Sequence, residues 1–181
     1  MNDDPQLLER LLTLQAPLFA GIDPTLLNAW LCTAQLRHYT SGSSVLMADQ
    51  ANSQTFLVLS GQLVVSLQQE GHGLLATIGP GECVGEVSTL TQGDTTAWVR
   101  CEQPSELWVI ERQELLAWSQ QSHQLALNLL QLLGERLRHS NLHARGAQAL
   151  NQQLQTRALS DALTGALNRH WLEQQRSALQ Q

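Results

Sequence analysis

Lysine is missing altogether from this 181-residue chain: its ten basic residues are all arginine, against sixteen acidic ones, for a formal net charge of −6. Neutralising nucleic-acid phosphates needs a basic face, so an acidic chain with no Lys/Arg cluster argues against DNA or RNA as a partner. Cysteine is scarce: Cys32, Cys83 and Cys101 are odd in number, far apart and without a Cys-x-x-Cys pair. That excludes a disulfide framework and the usual zinc and iron–sulfur spacings, leaving buried, reduced thiols of a cytoplasmic protein as the expectation. No apolar run approaches the roughly 20 residues of a membrane span, and Met1-Asn2-Asp3-Asp4 is acidic where a signal peptide would be basic. What remains is a globular composition, 43% hydrophobic and 14% charged, long enough for one well-cored domain and an appendage.

The chain changes style twice. Residues 6–15 have helical periodicity, with Leu7, Leu8, Leu11, Leu12 and Leu14 on a broad apolar face. After Pro17, Asp23-Pro24 reads as an N-cap followed by proline at the first helical position, leading into Leu26, Leu27, Trp30 and Leu31. From about Arg37 to Glu111 come short β-type runs at 44–47, 55–59, 62–67, 74–78, 97–101 and 106–110, broken by turns such as Ser60-Gly61 and Gly79-Pro80-Gly81. That spacing predicts a small antiparallel barrel or roll, and an α+β chain overall. Near Gln113 the pattern returns to helix and stays there, with no proline after Pro104. The implied divisions are N-terminal helices at 1–36, a roll at 37–112, a helical linker at 113–160 and a further segment at 161–181.

Four ordered blocks carry a resemblance. They are Pro17-Leu18-Phe19-Ala20-Gly21-Ile22-Asp23-Pro24, Phe56-Leu57-Val58-Leu59-Ser60-Gly61, Gly79-Pro80-Gly81 with Gly85-Glu86, and Ala97-Trp98-Val99-Arg100. Over about the first 140 residues the chain resembles the cyclic-nucleotide-binding domain of the catabolite-activator family, with Asp49 at a turn position where the family carries glycine. The resemblance implies an antiparallel β-roll of the jelly-roll type, flanked by N-terminal helices and a long C-terminal dimerisation helix. It also implies a ligand cradle from Gly85-Glu86 onwards. There the ribose hydroxyl donates to a glutamate and an arginine neutralises the cyclic phosphate. Gly85 and Glu86 are kept, but Thr95-Thr96 stands in place of the family's Arg-Ser pair. Losing a buried charge-assisted pair costs about 2–5 kcal/mol, roughly 30- to 4000-fold in affinity, so the missing arginine counts against a cyclic nucleotide. Arg100, four residues beyond Thr96, is the nearest alternative cation. Counted forward without gaps, the helix positions that face the purine in the family become Ser140 and Asn141. His139 and His143 are one helical turn apart, but two histidines without companions do not make a metal site.

Steps of three and four from Leu130 give Leu130, Leu133, Leu137, Ser140, Ala144, Ala147, Asn151, Leu154, Ala158 and Asp161. This is a coiled-coil seam with a leucine-rich start and a small, polar middle, and it predicts a parallel homodimer through residues 125–160. The alternative is one amphipathic helix lying on its own roll. Beyond the helix, Ala158-x-x-Asp161-x-Leu163-Thr164-Gly165-Ala166-Leu167-Asn168-Arg169 resembles the D-x-L-T-G-L-x-N-R motif that opens GGDEF domains, with Ala166 for the usual leucine. Gly165 suits a helix end and Asn168 an N-cap. The resemblance implies the sensor and linker of a diguanylate cyclase, which makes cyclic di-GMP from two GTP. The acidic magnesium ligands and the Gly-Gly-Asp/Glu-Glu-Phe turn of a cyclase do not occur in the twelve residues after Arg169, so this chain is expected to catalyse nothing itself, and magnesium belongs to the missing part. Two other readings stay open: a ligand-free dimerisation or protein-docking module, and a catabolite-activator-like regulator without its DNA-binding domain.

Overall fold

The computed structural model describes residues 5–69 and 73–159. The Asp161–Arg169 motif therefore lies outside the described residues, as do residues 70–72. Three helical pieces come first: α1 (Pro5–Leu14), a 3-10 turn (Pro17–Phe19) and α2 (Pro24–Leu31). Eight strands follow: β1 (Gln35–Tyr39), β2 (Ser44–Leu46), β3 (Gln54–Ser60), β4 (Leu63–Ser66), β5 (Leu74–Ile78), β6 (Cys83–Val84), β7 (Trp98–Cys101) and β8 (Ser105–Glu111). Helix α3 (Glu86–Thr91) interrupts them between β6 and β7, and α4 (Arg112–Gln121) and α5 (His123–Leu159) close the chain. The six expected strands are all present. The two unforeseen ones, β1 and β6, are a largely exposed polar edge strand and a two-residue strand, neither of which leaves a hydrophobic alternation to read.

The strands form two four-stranded sheets, β1-β8-β3-β6 and β2-β7-β4-β5, with every named pair antiparallel. Their inner faces meet in one core of Leu46, Phe56, Val58, Leu63, Ile78, Val84, Val99, Cys101, Leu107 and Val109. Alternate residues of β3 and β8 point the other way. Leu57, Leu59, Trp108 and Ile110 pack under the helices with Leu7, Leu11, Phe19, Trp30, Leu115 and Trp118. Because the first sheet is covered on both faces, β3 and β8 read as nearly continuous apolar runs instead of alternating ones.

The second core is aromatic at its centre. Phe19 stacks on Trp108 at 5.1 Å between centroids and Trp30 stacks on Trp118 at 5.0 Å. Trp108 and Trp118 meet at 5.7 Å, so the 3-10 turn, α2, β8 and α4 share one cluster. Such pairs contribute about 0.5–1.5 kcal/mol each beyond the area they bury. Asp23 caps α2 as its position before Pro24 suggests, accepting from the Thr25 and Leu26 N–H groups at 2.8 and 3.3 Å. In α1, Leu7 and Leu11 are buried and Leu8 and Leu14 partly so, but Leu12 is half exposed: it sits on the far side of the helix, and the apolar face is narrower than the composition suggests. Arg10 reaches from α1 to an ion pair with Glu106 on β8.

Sequence periodicity gives no sign of the break between α4 and α5. Ser122 is extended there, and its hydroxyl accepts from the Leu125 N–H at 3.2 Å. The roll with its flanking helices forms one unit, ending at Leu133. From Gly134 the described chain is a second unit, helical through Leu159.

Candidate ligand site

The candidate site is built where β6 ends and α3 begins. Gly85 adopts φ +85° there, and a Cβ on it would lie 2.6 Å from the Gln54 carbonyl oxygen and 3.1 Å from Asn52 Nδ2. Only glycine fits both the left-handed backbone and the space. Glu86 follows at the first position of α3 with 2% of its surface exposed, a buried acid in the wall of the roll. The remaining polar side chains of that face, Ser88 and Thr89, are buried too, and both donate to the Gly85 carbonyl, at 3.1 and 2.7 Å.

The segment after α3 is tied down at a different point. Thr95 is buried; its N–H donates to the Gln50 carbonyl at 2.9 Å and its carbonyl accepts from the Asp49 N–H at 2.8 Å. Its hydroxyl lies against the carbonyls of Met47 and, at 3.1 Å, Gln50. The Thr95 hydroxyl is thus committed to the turn between β2 and β3. Asp49, in that turn, has φ +59°, the conformation the family's glycine would take. Thr96 is exposed. Arg100 is exposed as well: its neighbours Val99 and Cys101 fill the roll core, so strand alternation turns Arg100 to the outer face, where it does not replace the absent arginine. Ser140 and Asn141 are exposed positions on α5 in the second unit. His139 is exposed, the side chain of His143 lies outside the described residues, and no metal-holding cluster occurs among the described residues.

Two side chains at the site carry no sequence signal. Asn52 joins the start of β3 to α3: its Nδ2 lies 2.7 Å from the Gln54 carbonyl, 2.9 Å from Ser88 Oγ and 3.3 Å from the Gly85 carbonyl. Arg112 donates to the Gln92 amide oxygen at the end of α3, with that amide turned to face the guanidinium, at 2.5 and 2.8 Å. An asparagine between strands reads as a turn residue and an arginine opening a helix as solvated, because their partners are 33 and 20 residues away. Buried thiols meet expectation at Cys83 and Cys101, whereas Cys32 is half-buried. Burial raises the Cys101 thiol above its ordinary range, opposed by a smaller effect of the Ser105 hydroxyl.

A two-sheet antiparallel roll with a short helix between β6 and β7, a buried glutamate at the first residue of that helix and a long C-terminal helix is the fold of a cyclic nucleotide-binding domain. Comparison with known proteins agrees. Residues 36–122 match the family model of the cyclic nucleotide-binding domain. The chain is 32% identical over 129 residues to the cyclic AMP receptor protein of Thermus thermophilus, an alignment covering 70% of this chain and 60% of that one. It is similar in structure to the catabolite activator protein of Thermus thermophilus, with a TM-score of 0.65 and 30% identity, over 73% of this chain and 63% of that one. It shares the fold of the sensor domain of the transcriptional regulator DNR from Pseudomonas aeruginosa, with a TM-score of 0.62 and 23% identity over 76% and 93% of the two chains. Residues 36–122 thus match a cyclic nucleotide-binding domain of the catabolite-activator type, and the chain spans about 60% of the length of the curated relatives it matches. No helix among the described residues is long and apolar enough to cross a membrane.

Proposed function

We propose that this chain is the cytoplasmic sensor of a signalling protein, a homodimer in which a cyclic nucleotide held at Gly85 and Glu86 is reported through α5 to a GGDEF domain beginning near Asp161. The observation that carries the sensor reading is the Gly85–Glu86 corner: a buried carboxylate follows a left-handed glycine at the wall of the roll. A carboxylate at this corner can accept a hydrogen bond from a ribose hydroxyl. With Thr95 committed to its turn and Arg100 on the outer face, the phosphate has no arginine from either position. Recognition then rests on the ribose, and affinity is lower than an arginine would give. Calorimetric titration with cyclic AMP, cyclic GMP and cyclic di-GMP tests this. Saturable, weak binding of a mononucleotide is expected. Silence with all three would leave a dimerisation or docking module without a small ligand.

The output rests on the Asp161, Leu163, Thr164, Gly165, Asn168 and Arg169 motif. A second reading, a catabolite-activator-like transcriptional regulator, is favoured by the curated relatives, which match over 129 residues and are named a cyclic AMP receptor protein and a cAMP-activated global transcriptional regulator. The coding sequence downstream of residue 181 separates the two. A Gly-Gly-Asp/Glu-Glu-Phe turn about 80 residues beyond Arg169 is expected. A helix-turn-helix with a basic recognition segment there would replace the cyclase by a DNA-binding output.

A further inference from the structure

We infer that Asn52 is the positioning residue for Glu86. It holds the Gly85–Glu86 corner in register with β3, so that the carboxylate meets the ribose hydroxyl. The inference rests on the ligand reading above and assigns it a residue on a different segment of the chain. Inside α3, the Gly85 carbonyl already accepts from the Thr89 N–H at 3.0 Å and from the hydroxyls of Ser88 and Thr89. Those bonds hold the carbonyl to α3 and say nothing of where α3 sits on the sheet. The β3–β6 ladder ends at Phe56–Val84, one residue short of the corner, and Asn52 carries that reference on to it. Its Oδ1 accepts from the Gln54 N–H at 3.0 Å and its Nδ2 lies 2.7 Å from the Gln54 carbonyl, which locks the side chain to the first residue of β3. The same Nδ2 donates its second hydrogen towards Ser88 Oγ at 2.9 Å, and Ser88 Oγ donates on to the Gly85 carbonyl. The relay runs from β3 through Asn52 and Ser88 to Gly85, and Glu86 is the next residue along.

The geometry is tight: the place of a Gly85 Cβ is filled by the Gln54 carbonyl, so strand and corner touch with nothing between. An aspartate at position 52 keeps the acceptor for Gln54 N–H but removes both donor hydrogens, which separates positioning of the corner from formation of the turn.

The test compares cyclic AMP with 2′-deoxy cyclic AMP, titrated into the full chain as wild type, Asn52→Asp, Ser88→Ala and Glu86→Gln, with a thermal melt of each. The wild type is expected to prefer cyclic AMP by about 10- to 100-fold, the value of a hydrogen bond to a charged group, and Glu86→Gln to abolish that preference. Asn52→Asp and Ser88→Ala should each lose most of the preference while binding the deoxy ligand within about twofold of wild type, since one hydrogen bond to the ribose is what they disturb. Ser88→Ala cuts the same relay at its other end and keeps the question answerable if Asn52→Asp does not fold. Unchanged preference in both variants, or equal weakening towards both ligands, overturns the positioning role and leaves the ligand reading intact. A wild type that binds both ligands equally, or neither, overturns the role of Glu86 and this inference with it.

Discussion

Thr95 stands where the resemblance to the catabolite-activator family would put a phosphate-binding arginine, and the structure gives it a different task. Its hydroxyl satisfies carbonyls of the β2–β3 turn, 45 to 48 residues earlier in the chain. Thr95→Val keeps the shape and removes that donor, so the Met47 carbonyl loses it; unfolding in urea should show a loss of about 1–3 kcal/mol. Thr95→Arg should lower stability and leave cyclic nucleotide affinity unimproved, because the position is buried against a turn. A gain of about 30-fold or more with stability retained, the lower bound for a charge-assisted pair, would restore the family's site and refute the staple. At Asp23 the lesson concerns pH. Its carboxyl is held below the usual range, first by the Thr25 N–H, then by the Thr25 hydroxyl and the Leu26 N–H. A depressed folded value means that the cap stabilises above the unfolded carboxylate pKa of about 3.9 and is lost as pH falls through the lower folded value. Melting temperatures of Asp23→Ser should therefore converge on those of wild type in that acid window and show less pH dependence within it.

Among the elements, α5 carries the clearest unmet demand. Leu125, Asn128 and Leu129 face the protomer's own core, and Asn128 donates to the carbonyls of Leu18 and Ala20 at 2.9 Å each. An interface drawn from residue 125 onwards therefore begins too early. Among the described side chains of α5, the exposed leucines are Leu127, Leu130, Leu137 and Leu142, of which Leu130 and Leu137 are 65% and 63% exposed. Leu130→Glu with Leu137→Glu is expected to turn a dimer into a monomer in sedimentation, while changing the melting of the roll by no more than the about 0.5 kcal/mol typical of surface substitutions. A wild type that sediments as a monomer at all concentrations would rule the seam out. Legibility follows the same division. The capped α2, six of the strands and the Gly85–Glu86 corner were open to reading because each rests on periodicity or on backbone chemistry within a few residues. The staple of Thr95 and the relay through Asn52 and Ser88 were not, because their hydrogen bonds join segments more than 30 residues apart. The outward turn of Arg100 follows from Val99 and Cys101 filling the roll core, a burial that the sequence alone does not assign.

For the whole molecule, sensing and assembly make one thermodynamic demand. If a ligand at Glu86 is to change an output through α5, it must bind one arrangement of the helices better than another, since a ligand of equal affinity for both shifts nothing. Coupling of this kind is reciprocal: the factor by which the ligand changes the dimer dissociation constant equals the factor by which dimerisation changes ligand affinity. In a dimer paired through the seam that the sequence predicts, a leucine-rich start would favour association and a small, polar middle from Ser140 to Asn151 would bury little area, leaving the pairing weak enough to be biased. The monomeric Leu130→Glu/Leu137→Glu variant makes the coupling measurable. Its affinity for cyclic AMP should differ from that of the wild-type dimer by about 5- to 150-fold, the usual span of allosteric coupling. Sedimentation of the wild type with and without saturating ligand should return a matching shift in the dimer constant. Agreement of the two factors places the signal in α5. An affinity that is the same in monomer and dimer, beside a dimer constant indifferent to ligand, would mean that the roll binds without reporting through this helix, and that any regulation of a following domain takes another route.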